Sequence, residues 1–324
     1  MWKTSDKLPR SLHRIPWKKM EKTEKILSLS VGRCVFSLFQ DKITSNVCLP
    51  CIGKIFYNFF FRQYKAKLLQ NTPVVNVDHI MDEKIPFLPQ KVNIYLGFIA
   101  FWIRTAGFLL KTGIKKEAAD LVASIGKLYA FAAEVYMKYM STTKRPRYLK
   151  TLRFILIHAL DPHLMCIPSL HVMVVMLTYK RFAISTPGFE SQKSELRDGA
   201  LSITESVLYV KQHSVNCVAA AFYALSRFDE ALFPPWEIEA LTACLFTDGT
   251  IPEPDAVLIR EYILTLYRKF INESRIPPSE DQLWEKPLLN FLASFRINRR
   301  GHRSYQRKEM ESSSTNELST PSVV

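Results

Sequence analysis

Residues 92–110 read VNIYLGFIAFWIRTAGFLL, nearly all apolar and aromatic, with Arg104 the one clear charge. A helix needs about 20 predominantly apolar residues to cross a bilayer, so this run is long enough, and Arg104 makes the crossing costly. A second candidate runs from Ala118 to Met137, with small residues at helical spacing and Glu134 near its end. Small residues permit close helix packing in lipid. Shorter apolar runs at 152–160, 164–178 and 215–225 suit buried helices of a compact core as well as membrane segments. The pattern predicts an all-α fold, a membrane-associated helical bundle.

Upstream, residues 68–90 carry turn signals around Asp78, Asp82, Pro86 and Pro89. Before them, Ile26 to Phe61 is a mixed stretch ending in Phe56-Tyr57-Asn58-Phe59-Phe60-Phe61, flanked by Lys54, Arg62, Lys65 and Lys67. Aromatics beside cations suit an interfacial helix or the end of a first membrane segment. Residues 1–30 read as a basic arm. Downstream of Phe228, Pro-rich loops alternate with amphipathic patterns such as Val257 to Ile271, which predicts a soluble helical extension. From 296 the chain is basic and then Ser/Thr-rich, the composition of a disordered tail. The expected division is a basic N-terminal region (1–69), a helical core (70–228), a helical appendage (229–295) and the tail (296–324).

With 324 residues the chain can hold one large domain or two small ones. Its mean hydropathy of −0.02 is low for a polytopic membrane protein, but the average joins polar, basic ends to an apolar middle. The net charge of +14 predicts attraction to polyanions: nucleic acid, an anionic membrane surface or a phosphorylated substrate. No helix-turn-helix, zinc-finger or RNP pattern favours nucleic acid. Six cysteines spread over this length do not form a disulfide framework, and the Cys48-x-x-Cys51 pair lacks a second half to complete a zinc site. The first apolar run is too late and too charged for a signal peptide. No cofactor or metal is expected.

Three short patterns carry the chemistry, in order: Lys138 with Arg145-Pro146, then Pro168-Ser169-Leu170-His171, then Ser206 with Lys211-Gln212-His213. Lys and Arg offer charge and donors to a phosphate, and the guanidinium fork suits its oxygens. Ser169 adds a neutral donor, and a helix starting after Pro168 adds backbone N–H groups and a positive dipole end. Two histidines can divide phosphoryl transfer, one attacking phosphorus and the other protonating the leaving oxygen.

On these patterns the chain resembles the type 2 phosphatidic acid phosphatase (PAP2) superfamily, whose signature is K-x6-RP, PSGH and SR-x5-H-x3-D. Lys138-x6-Arg145-Pro146 matches in full, and Pro168-Ser169-Leu170-His171 carries Leu in the third place. The step from Ser206 to His213 is kept, and Lys211-Gln212-His213 resembles a bacterial K-Q-H branch. Ile85-Pro86-Phe87-Leu88-Pro89 and Asp161 sit where that branch has similar residues, so the resemblance covers about 70–228. It implies a membrane-embedded PAP2-type helical bundle, placed in a bacterial inner membrane. His213 would be the nucleophile and His171 the general acid, with Lys138, Arg145, Lys211 and Ser169 on the phosphate. His158 and His163 lack motif support.

One position departs. The last motif residue, an Asp that would orient the nucleophilic imidazole, is Cys217 here, and a neutral thiol supplies no fixed charge. Asp161, Glu205 or Asp229 are the available substitutes. The implied function is a metal-independent phosphatase for a phosphatidate-like or polyprenyl phosphate. The alternatives are a phosphotransferase of the same chemistry, or a catalytically impaired phospholipid-binding scaffold suggested by Cys217.

Overall fold

The computed structural model describes residues 24–69, 72–148, 150–275 and 283–295. Most of the expected basic arm and the whole tail from 296 lie outside these residues. The chain is mostly helical, as expected: α1 (Val31–Gln40), α2 (Lys42–Ile55), α3 (Arg62–Leu69), α4 (Val92–Tyr95), α5 (Phe98–Lys111), α6 (Lys115–Tyr136), α7 (Leu152–Leu160), α8 (Leu170–Ser185), α9 (Glu190–Tyr209), α10 (Val215–Phe228), α11 (Pro235–Ala243), α12 (Glu253–Arg275) and α13 (Lys286–Ala293). A π-helical turn, Phe56–Phe61, joins α2 to α3 without a break.

At the centre is α8, packed by α5, α6, α9 and α10. Val172 to Leu177 are all fully buried, so this helix is apolar on every side, as a central helix must be. The 92–110 run bends at Leu96–Gly97, dividing α4 from α5. Taken together, Pro89–Lys111 is the single stretch among the described residues long and apolar enough to cross a membrane, and 56% of its most apolar window is buried inside the protein. The second expected candidate falls within α6, whose buried side packs on α2 and α5.

Two glycines let these layers approach. A Cβ on Gly107 of α5 would lie 2.5 Å from Cys34 Sγ of α1, and one on Gly126 of α6 would lie 3.1 Å from Cys51 Cα of α2. The polar stretch near 184–205 forms α9 because its charges face solvent or cap other segments. Glu195, for instance, accepts from the backbone of Ile26 and Leu27 at 2.8 and 3.0 Å.

The region expected as an appendage shares the main core. Its α12 lies along α10, where Tyr262 Oη donates to Asn216 Oδ1 at 2.7 Å and Tyr267 meets Ser226 at 3.1 Å. Trp284 stacks on Phe131 at 3.7 Å and donates to Glu134, fastening 283–295 to α6.

Two short parallel strands, β1 (Val74–Asn76) and β2 (Met140–Thr142), complete the framework. Ser141 of β2 also bridges the 164–167 segment: its amide donates to Leu164 O, its carbonyl accepts from Cys166, and its hydroxyl accepts from Ile167 N. These contacts bring the loops before α7 and before α8 side by side.

Candidate active site

Three chain segments converge at one end of the bundle. Ser169 is the N-cap of α8, and His171 follows in its first turn. The loop between α9 and α10 supplies Lys211, Gln212 and His213, its turn closed by Lys211 in the left-handed region at φ +55°. The loop after β2 supplies Thr143 and Arg145. The two motif histidines meet here edge to face, with ring centroids 5.5 Å apart and planes inclined at 65°.

His171 is packed between Tyr95 at 4.4 Å and Phe98 at 4.0 Å. That apolar burial disfavours the imidazolium and pushes its pKa down to about 4. His213 is held well below its ordinary value, by burial first and by the neighbouring histidines second. Its Nδ1 is buried without a partner.

Arg145 is the motif cation that joins the histidines. Its guanidinium donates to Gln212 Oε1 and to the Asp161 carbonyl, each at 3.3 Å. Pro146 follows it, half-buried. Ser169 is fully buried with an unpartnered Oγ, at the positive end of α8, while its amide donates to Cys217 O at 3.3 Å. The Pro168 carbonyl accepts from Tyr136 Oη.

The structure also adds residues that sequence reasoning set aside. His163, expected as a bystander, lies 6.5 Å from His213 between ring centroids. Its Nε2 meets Thr143 Oγ1 at 2.7 Å and Cys166 Sγ at 3.5 Å, and its Nδ1 is 3.8 Å from Asp161 Oδ2. Its backbone sits at φ +58°, uncommon for a non-glycine residue and held by the Asp161 side chain, which accepts from its amide at 2.9 Å. Burial alone would raise the Asp161 carboxyl, but the His163 contacts and the Arg145 charge hold it far below the usual range. The Asp161-x-His163 spacing next to the PSLH run was the legible signal. Of the three acidic candidates to replace the missing Asp, Asp161 is the one beside the histidines. Glu205 instead accepts from Phe246 N at 2.6 Å, and Asp229 pairs with Arg181 at 2.8 Å.

Four expected site residues are engaged elsewhere. Lys138 is paired with the buried Glu285 ahead of α13. The Lys211 ammonium donates to the carbonyls of Asp82 and Ile85, each at 2.5 Å, because the left-handed turn aims its side chain at the loop before α4. Ser206 donates to Ile203 O at 2.7 Å within its own helix. Cys217 Sγ accepts from Ser214 N at 3.4 Å, closing the capping turn of α10 and leaving His213 Nδ1 alone.

Comparison of this chain with family models, curated proteins and solved structures returns no match.

Proposed function

We propose that this chain is a metal-independent lipid phosphate phosphatase that takes a phosphatidate-like or polyprenyl phosphate at a membrane and works through a phosphohistidine. The meeting of His171 and His213, drawn from separate segments and flanked by Arg145, carries this reading. Burial keeps the His213 imidazole neutral, so one ring nitrogen presents a free lone pair. It attacks phosphorus, a phosphorus–nitrogen bond forms, and the ester P–O bond breaks. His171 delivers its proton to the departing alkoxide. Water then gives a proton to His171 and attacks phosphorus, and the P–N bond breaks to release inorganic phosphate. Arg145, the Ser169 hydroxyl and the N-terminus of α8 hold the phosphoryl oxygens throughout.

A second reading has its own support. Cys217 leaves His213 without an orienting carboxylate, and Lys138 and Lys211 are both diverted. Such a protein binds a phospholipid and turns it over poorly, acting as a scaffold. A phosphotransferase differs from the phosphatase in the acceptor alone, and products formed with an added alcohol separate the two.

The test is phosphate release by the detergent-purified protein from a panel of lipid phosphates, with EDTA present, beside His213→Ala. Release that survives EDTA and vanishes in the variant supports the phosphatase. No release above the variant on any lipid supports the scaffold.

A further inference from the structure

The helical run from α2 through α3 turns most of its large apolar side chains outward. It is continuous for 28 residues, about 42 Å of helix. Its buried positions are Thr44, Cys48, Cys51, Asn58, Gln63 and Ala66, all small or polar, while half-buried Val47, Ile55 and Phe59 pack on the core. Its outer side carries Leu49, Ile52, Phe56, Phe60, Phe61 and Leu68, with Leu49 at 67% and Leu68 at 79% exposure. Contiguous exposed apolar surface of this kind marks a binding face. The arrangement continues into α1, where Phe36 and Phe39 are exposed while Cys34 and Leu38 are buried.

The charge on this face selects the occupant. Residues 31–69 hold Arg33, Lys42, Lys54, Arg62, Lys65 and Lys67 against the lone acid Asp41, which is itself paired with Lys115. Two copies of such a face would set like charges against each other. An anionic lipid surface meets both the aromatics and the cations. The cations also decide the depth. Lys54 is exposed near the middle of the run, where a crossing helix would place it at the bilayer centre, among the costliest positions for a charge. With the helix lying flat, every cation reaches the headgroups.

We infer that the outer face of α1–α3 embeds in the surface of an anionic bilayer with its helices in the membrane plane, and so holds the histidine site at headgroup depth. The inner side provides the link: Gln63 Oε1 accepts from Leu164 N at 2.9 Å, one residue beyond His163. On the other flank, α7 runs directly into Asp161 and also exposes apolar residues, Leu152 at 70%. The inference rests on the membrane placement proposed above and is independent of the chemistry.

The test is flotation with preformed vesicles of phosphatidylcholine, with and without phosphatidylglycerol. The full chain is expected to float with the anionic vesicles and much less with the zwitterionic ones. Phe56→Glu/Phe60→Glu/Phe61→Glu changes outward-facing positions and is expected to lower the partition coefficient at least about a hundred-fold at an unchanged circular dichroism spectrum. His213→Ala is expected to float like the parent; its loss of flotation would assign binding to the site and overturn the inference. Equal flotation of the triple variant, or equal binding to both vesicle types, overturns it too. For depth, Asn46→Cys and Lys67→Cys in a Cys244→Ser background, which removes the exposed native thiol, are expected to react equally with an impermeant maleimide from outside the vesicle. Protection of one and labelling of the other would show a crossing helix instead.

Discussion

The proposed phosphatase chemistry predicts, from the site geometry, an acid-favoured reaction whose slope depends on the leaving group. His171 must carry a proton to serve as general acid, yet its packing between Tyr95 and Phe98 pushes its pKa down to about 4. At pH 7 about one molecule in a thousand is then protonated, and at pH 5 about one in ten. For an alkyl phosphate, which needs the acid, kcat/KM is expected to fall about 100-fold between pH 5 and pH 7. The second quantity in the profile is neutral His213, which its lowered pKa favours. A bound phosphate raises the His171 pKa, so the parameter to read is kcat/KM, which reports the free enzyme. The substrate's own second ionisation lies near pH 6 and is lower for an aryl than for an alkyl ester, so each profile is corrected for its substrate's ionisation before the slopes are compared. An aryl phosphate leaves without protonation, so the difference between the two slopes isolates His171. His171→Gln should remove that difference. A flat alkyl profile from pH 5 to 7, or an unchanged slope in His171→Gln, would refute the general-acid assignment.

Three further outcomes follow from the structure. Cys217→Asp keeps an acceptor for Ser214 N in the capping turn and offers His213 a carboxylate; turnover of a lipid phosphate is expected to rise about 10²–10⁴-fold, by analogy with loss of the Asp in the serine-protease triad. Gly107→Ala drives a methyl into Cys34 at the α1–α5 crossing and should lower stability by about 1–3 kcal/mol, read as a shift of the denaturation midpoint. Burial raises the Glu205 pKa to about 7, so the folded state holds a proton that the unfolded state has lost above pH 4.5. Stability from this group is therefore present below pH 4.5 and is lost as pH rises to about 7, by about 3 kcal/mol, and Glu205→Gln should flatten that limb of a melting-temperature profile.

Much of the helical plan was legible because apolar runs report burial directly. The 152–160 and 215–225 runs became α7 and α10, and the PSLH run placed a helix start after Ser169, since a proline followed by an N-cap residue and an apolar segment has few other readings. The bend at Leu96–Gly97 was not legible, as composition does not register a broken backbone. The attachment of 229–295 to the core was hidden as well. Amphipathic helices show that one face is buried without showing what buries it, and here the partners of α12 lie on α10, tens of residues upstream.

For the site, the sequence by itself determined which chemistry was available: two histidines, an arginine and a serine at spacings that suit phosphate. Spacing constrains residues only within a local turn, so the sequence could state that each motif was present but not which side chains would meet. The tertiary structure decided that His171 and His213 come within 5.5 Å, that His163 and Asp161 join them, and that Lys138 and Lys211 turn to Glu285 and to backbone carbonyls. Those choices depend on how β2 and the 161–169 loop pack against α8 and α10. They are contacts between residues far apart in the chain, and no local pattern encodes them.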